Sequence, residues 1–538
     1  MTSTPDPAAP SDLGPADPEH DPSASYALDQ QMVRELTKRI VSTSGEAAAT
    51  YTPLTGQALA MIPQSSDADV DQAFARAREA ARAWSLTSIE HRQRLLLRLH
   101  DLVMQHQAEI MDVIIWETGK ARKHAYDEPL HIALTARYYG QRTKKIMGTH
   151  KAIGAVPGLT QVEINHVPKG VVGIIAPWNY PFSLALCDGI AAIAAGNAVV
   201  IKPDSQTVLT ALIGARLLEE AGFPKDLWQT VAGAGSKIGP EMISRADYIC
   251  FTGSTATGKI IAKGCADRLI GCSLELGGKN PILILRDADI NRAVEGAVRA
   301  TFSNAGQLCV STERMYVADA IYDRFKEKFV AAVKAMTLRP GLDWGNDMGT
   351  LTGPSQLEAV TKHVEDAKAK GATVLAGGRA RQDLGPYFYE PTILEGVNPE
   401  MKCFGEETFG PVISLYRFTD EADAIARANQ GEYGLNGSIY SRDTKRARAM
   451  AKRIKCGTVN VNEAFAATFA SIDAPMGGMR ESGQGRRQGA EGLLRYTETQ
   501  AVAVQRLLRF GPSFGLNDKK FAGVMTANLK LLKKIGRP

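Results

Sequence analysis

The chain has few cysteines, and no two of them are spaced as CxxC. Cys187, Cys250, Cys265, Cys272, Cys309, Cys403 and Cys456 number seven, an odd count that argues against a disulfide framework or a structural zinc site. No metal is expected, and free thiols suit a reducing compartment. A basic and apolar signal region is missing from the start of the sequence. So is any run of about 18 or more apolar residues able to span a bilayer. The expected location is the cytoplasm. A strong overall charge is also missing. The net charge is +5, and residues 501–538 carry eight Lys or Arg against the single acid Asp518. The rest of the chain is therefore slightly acidic, with no electrostatic reason to bind nucleic acid.

What is present is a globular balance of 44% hydrophobic and 22% charged residues over 538 positions, too long for one compact core. Two or three domains are expected. Residues 1–28 are rich in Pro, Ala, Ser and Asp and read as a disordered tail. Residues 68–84 and 89–118 have helical spacing of apolar positions. From Lys169 the rhythm changes. Buried strands are expected at 170–177, 197–203, 227–231 and 248–253, with helices at about 183–195, 207–221 and 235–244 between them. Such alternation implies right-handed βαβ crossovers and a parallel sheet covered on both faces. The fold class is α/β, with a Rossmann-like cofactor domain. A second α/β domain is expected from about 276 to 475, with strands at 282–287, 313–319 and 458–462 and helices at 320–336 and 356–370. Residues 147–167 suit a projecting hairpin.

Four segments carry candidate chemistry or cofactor contacts. SNAGQLCVS places Cys309 in a small turn before a strand. A lone cysteine is usually a buried hydrophobe, but a nucleophile needs a base and oxyanion donors close by. LELGGKNP supplies the acid Glu275 at a strand end, otherwise readable as a solvent-facing residue beside a Gly-Gly turn. APWNYPF supplies Asn179, whose amide can donate to a developing oxyanion or merely satisfy its own turn. FTGSTATG has Gly253 and Gly258 between a strand and a helix, where a helix N-terminus can face a pyrophosphate. Its spacing is not the GxGxxG of the common dinucleotide fingerprint, and by itself it is weak.

Together PWNYPF, FTGSTATG, LELGGKNP, NAGQLC and EETFGPV resemble, in order and spacing, the aldehyde dehydrogenase superfamily over residues 35–505. The resemblance implies a cofactor domain at 29–146 and 168–275, a catalytic domain at 276–489, and an oligomerisation arm at 147–167 and 490–508. Residues 509–538 form a basic extension. It also implies a homodimer or homotetramer in which the hairpin and the strand near 498–505 pair with a neighbour. Cys309 matches the nucleophile, Glu275 the general base and Asn179 the oxyanion donor. Lys202 matches an adenosine-ribose contact, and Gly253 with Ser254 the pyrophosphate turn. Glu407 and Phe409 match nicotinamide contacts, and Trp178 falls on the same cofactor side. The implied reaction is NAD(P)+-dependent oxidation of an aldehyde to a carboxylate through a thiohemiacetal and a thioester, without coenzyme A. A retired family member acting only as a binding protein is the alternative, against which the joint presence of Cys309, Glu275 and Asn179 argues.

KPDSQT places Ser205 where many NAD-selective relatives carry Glu. A hydroxyl accepts a 2′-phosphate that a carboxylate would repel, so NADP is favoured over NAD. Ser205 can instead cap the following helix. GQLCVS and APMGGMRESGQGR resemble most the bacterial branch labelled succinate-semialdehyde dehydrogenase. Two arginines that grip the substrate carboxylate in that branch are replaced here. They fall at Cys187, nine residues after Trp178, and at Ser303, six before Cys309. A carboxylate buried without a cation is costly. Neutral aliphatic or aromatic aldehydes are thus an open alternative to succinate semialdehyde, with Phe465 and Phe469 as candidate channel walls or plain packing residues. Residues 519–536 mix basic and apolar positions as on an amphipathic helix. They suit packing on protein or, alternatively, weak contact with an anionic membrane surface.

Overall fold

The structure, a computed structural model, describes residues 28–155, 160–505 and 511–536. The tail expected at 1–28 lies outside the described residues except for Leu28, which is buried.

Two hydrophobic cores organise the chain. One is built by residues 28–276, with Leu493 and Tyr496 returning to it from the far end. The other is built by residues 282–476, joined by Tyr180 and Leu184 from the first half. Near the start, β1 (Ala47–Tyr51) and β2 (Ala58–Pro63) form an antiparallel hairpin. A small sheet follows from β3 (His150–Ala152) and β4 (Thr160–Pro168). The first core surrounds β5 (Val171–Ile175), β6 (Ala198–Lys202), β7 (Trp228–Thr230), β8 (Tyr248–Thr252) and β9 (Gly271–Glu275). The second surrounds β10 (Asn280–Ile284), β11 (Thr312–Ala318), β12 (Thr373–Ala376), β13 (Thr392–Glu395), β14 (Val412–Phe418), β15 (Asn436–Tyr440) and β16 (Thr458–Val461). Two late strands, β17 (Gly483–Gln484) and β18 (Thr497–Gln505), return to earlier sheets.

The sheet orders are β17-β9-β8-β5-β6-β7 and β12-β13-β14-β11-β10-β15-β16. Both are parallel except at one edge, where β17 and β12 run antiparallel to their neighbours. Strands β5 and β6 are buried along their whole length, which is why they read as unbroken apolar runs rather than as alternation. In the first sheet the chain moves outward from β5 through β6 to β7, then crosses back to β8 on the other side. Ligands of open α/β sheets bind at such a reversal, beyond the carboxyl ends of the strands.

The strand near 498–505 has a partner within its own chain: β18 pairs with β4 over nine residues, from Thr497↔Pro168 to Gln505↔Thr160. The result is a three-stranded sheet in the order β18-β4-β3, whose outer edge on β18 is open. The basic extension forms the helix Asp518–Lys534, capped by Asn517, and no residue of it is buried. Among the described residues no helix is long and apolar enough to cross a membrane.

Candidate active site

The carboxyl ends of the first sheet's strands bring the sequence candidates to one edge. Lys202 ends β6, Glu275 ends β9, Asn179 follows β5, and Gly253 and Ser254 follow β8. Cys309 faces this edge from the second core, in the turn between the helix Ile290–Phe302 and β11.

That turn is held in an uncommon shape. Asn304, Ala305 and Gly306 have φ of 51°, 54° and 70°, three consecutive left-handed residues. Gly306 is required there, because a Cβ would lie 2.0 Å from the Gly410 carbonyl oxygen. The Gln307 carbonyl accepts from the side-chain amides of Asn179 and Asn304, each at 3.1 Å. From β10, Asn280 donates to the carbonyls of Cys309 and Ser311, both at 2.7 Å. Asn179 is therefore tied to the cysteine turn and not to its own backbone. Its carbonyl is held in turn by Lys120 Nζ at 2.7 Å. Lys120 forms a fully covered ion pair with Glu128 at 2.6 Å. Glu128 also accepts from the N–H groups of Phe182 and Ser183 and closes the start of the helix Pro181–Ala194. A buried pair satisfied this fully acts as a rivet for the PWN turn.

Glu275 is buried, not solvent-facing, and its Oε1 has no hydrogen-bond partner. Strand β17 pairs beside it at the edge of the sheet, with Gly483 opposite Glu275 in the register. Burial pushes its carboxyl up to about 7, against the pull of the Arg487 and Arg495 guanidiniums. Those arginines share one buried partner. Asp188 accepts two bonds from Arg487, at 2.9 and 2.8 Å, and one from Arg495 at 2.5 Å. Two cations on one carboxylate leave an uncompensated positive charge behind Glu275. Cys309 is partly buried, and its thiol is pushed up to about 12 by burial and then by the Glu275 and Glu407 carboxyls. In this state it is a neutral thiol that needs a base before it can attack.

The crevice beside these groups has the donor set of a dinucleotide site. Ser254 caps the helix Thr255–Asp267, leaving its amino end at the strand edge. Gly258 serves packing, since a Cβ there would strike Leu276. Lys202 Nζ rests on the Pro203 carbonyl at 2.9 Å, and the Ser205 hydroxyl on the Gly233 carbonyl at 3.2 Å. Ser205 does not cap the helix Val208–Ala221. Glu117, buried and pushed up to about 7, accepts from Leu209 and Thr210 N–H instead. Ser205 is therefore left to the crevice. Trp178 meets Phe409 edge to face at 5.6 Å. Phe409 has φ 51°, and its turn is clamped by Glu313, which accepts from Thr408 and Phe409 N–H and pairs with Lys279. Glu407 accepts from Gly278 N–H at 2.7 Å, and burial pushes it up to about 8. A Cβ on Gly277 would lie 2.3 Å from Glu407 Oε2, so this approach depends on the Gly-Gly pair.

Of the four proposed substrate-pocket residues, Ser303 and Phe465 meet at one cavity through Arg299, and Cys187 and Phe469 lie elsewhere. Ser303 lines a cavity of about 520 Å3, with its hydroxyl donating to the Arg299 carbonyl. Phe465 is buried, with the Arg299 guanidinium 5.6 Å from its ring centre. Phe469 stacks on His131 at 4.3 Å. Cys187 lies in the first core beside Asp188 and Arg487, on a void of only about 10 Å3. Lys120, Glu128, Asn280, Glu313 and Arg487 escaped the sequence reading. Their partners lie up to hundreds of residues away, and no local pattern marks them.

A parallel sheet with a dinucleotide-type crevice, faced by a partly buried thiol and a buried acid, defines a cofactor-dependent dehydrogenase with a cysteine at its centre. Residues 40–502 match the family model described as Aldehyde dehydrogenase family, and the chain belongs to that family. A protein of Mycolicibacterium smegmatis named "Putative succinate-semialdehyde dehydrogenase (NADP(+))" is 48% identical, over 89% of this chain and 93% of its own. The 3-sulfolactaldehyde dehydrogenase of Pseudomonas putida is 36% identical, over 86% of this chain and 94% of its own. Among solved structures, an E. coli NADP-dependent enzyme superposes with a TM-score of 0.83 at 34% identity, covering 87% of this chain and 96% of that one.

Proposed function

We propose that this aldehyde dehydrogenase oxidises succinate semialdehyde to succinate with NADP+. The observation that carries the chemistry is the convergence of Cys309, Glu275 and Asn179 on one strand edge, from both halves of the chain. The Cys309 sulfur bonds to the aldehyde carbon, and its thiol proton leaves to a nearby base. In this reading Asn179 Nδ2 and the Cys309 backbone N–H donate to the oxygen that becomes negative. NADP+, when bound, is the acceptor for the hydride that leaves this carbon. Lys202, Ser205, Gly253, Ser254, Glu407 and Phe409 would hold it, with Trp178 packed against Phe409. Glu275 then takes a proton from water, the water oxygen bonds to the thioester carbon, and the carbon–sulfur bond breaks to return Cys309.

The names of the relatives support the cofactor and the substrate, and Ser205 supports the cofactor independently. Purified protein given succinate semialdehyde should form NADPH faster than NADH. Ser205→Glu should reverse that order by roughly tenfold or more, the worth of one charge-assisted contact. An unchanged ratio removes Ser205 from cofactor choice. A second reading, neutral aldehydes, is favoured by one observation. Neither Cys187 nor Ser303 brings a cation to the substrate, and Cys187 is sealed in the core.

We place the enzyme in the cytoplasm as a homodimer or homotetramer joined through the open edge of β18. The helix Asp518–Lys534 exposes Val524, Leu529 and Leu531 among its lysines, which suits weak contact with anionic lipid. Full-length protein should float with anionic liposomes, and protein lacking 512–538 should not. Equal behaviour of the two ends that idea.

A further inference from the structure

The cavity of about 520 Å3 has the size of a small-molecule site. Its wall includes Ser303 and His124, and the His124 ring nitrogen meets the Asn304 backbone N–H at 3.2 Å, so it abuts the turn that carries Cys309. Three cationic side chains line it, and two are already engaged. Lys123 pairs with Asp347 at 2.7 Å, and Arg292 donates to the Asn462 carbonyl at 3.1 Å. Arg299 is different. Among the described residues its guanidinium makes no hydrogen bond and no ion pair; it faces the Phe465 ring and favours the charged form of the Asp127 carboxyl, which burial opposes. It stands one helical turn before Ser303, at i−4.

The other charges of the cavity are acids. Glu463 is turned onto the Ala464 N–H, while Glu295 and Asp127 form no ion pair. Tyr180, in the turn that carries Asn179, has a buried hydroxyl without a partner, and burial holds it well above the usual phenol range. A guanidinium without a hydrogen-bonded partner, lining a cavity that abuts the cysteine turn, is the complement of a small acidic ligand.

We infer that Arg299 is the substrate-specificity residue, binding the distal carboxylate or sulfonate of an anionic aldehyde whose carbonyl reaches Cys309. This rests on the thiol-based oxidation proposed above. It gives the anionic substrate the cation that Cys187 and Ser303 lack, from the helix that Ser303 closes. Arg forks match carboxylate and sulfonate oxygens better than a lysine does.

The test compares kcat/KM for succinate semialdehyde, pentanal and betaine aldehyde, an anionic, a neutral and a cationic substrate, in wild type, Arg299→Gln and Arg299→Lys. The wild type should favour the anion. In Arg299→Gln the anion-to-neutral ratio should fall by roughly ten- to a hundredfold, chiefly through KM for the anion, and Arg299→Lys should restore part of it. Arg299 is exposed, so folding is not at stake. If the ratio stays within threefold in Arg299→Gln, or if betaine aldehyde is the best wild-type substrate, the inference is overturned and Asp127 becomes the recognising charge. A wild type that oxidises pentanal without preferring the anion defeats this inference alone. A wild type that oxidises none of the three defeats the parent reading as well.

Discussion

Replacing Cys309 by alanine should end aldehyde oxidation, with a loss on the order of 10^4-fold or more in kcat. The reason is chemical. Without the sulfur no covalent intermediate forms, and no other thiol can take over. Cys187, Cys250, Cys265, Cys403 and Cys456 are buried, and Cys272 lies at the opposite end of β9 from Glu275. NADP+ affinity, read by titration calorimetry, should stay within about threefold, because the residues placed around the cofactor come from other turns. A variant keeping a tenth of the wild-type rate would remove Cys309 from the chemistry.

Glu275→Gln should separate the two halves of the reaction. The amide keeps the shape of the carboxylate but cannot take a proton from water. Steady-state turnover should fall by roughly 10^2- to 10^4-fold. The first turnover should survive as a burst of one NADPH per active site, with the acyl group left on Cys309 and visible in the intact mass. The pH profile gives an independent check. A base must be ionised to act, and burial holds Glu275 near 7, so wild-type kcat should rise as pH climbs through about 7. That limb should vanish in the variant. Loss of the burst together with turnover would place Glu275 before the acyl enzyme instead.

How far the sequence foretells this molecule depends on how local each feature is. Strands β5, β6 and β8 are continuous apolar runs ending in Pro or Gly, so both their presence and their ends were readable. The functional turns follow those ends at once, which is why Asn179, Gly253 and Glu275 could be named from short segments. The supports could not be named. Asp188 takes its arginines from about 300 positions later, and Asn179 is steadied by Lys120. These are products of packing with no periodic trace. Arg299 is illegible for a different reason: a cation one turn before Ser303 on an amphipathic helix reads as any solvated residue. Strands β12 to β15 went unassigned because they are interleaved with long irregular connections.

The edge strand beside Glu275 carries a consequence for synthesis. Strand β17 reaches the ribosome exit more than 200 residues after β9, a delay of roughly 10–40 seconds at ordinary elongation rates. Through that interval the nascent chain holds a nearly finished cofactor sheet whose outer strand has an unpaired edge. The carboxyl that later activates water stands open at the end of it. Chaperone occupancy on ribosome-bound chains should therefore be greatest between the emergence of β9 and that of β17, and competence for the reaction should arrive abruptly with the last tenth of the polypeptide.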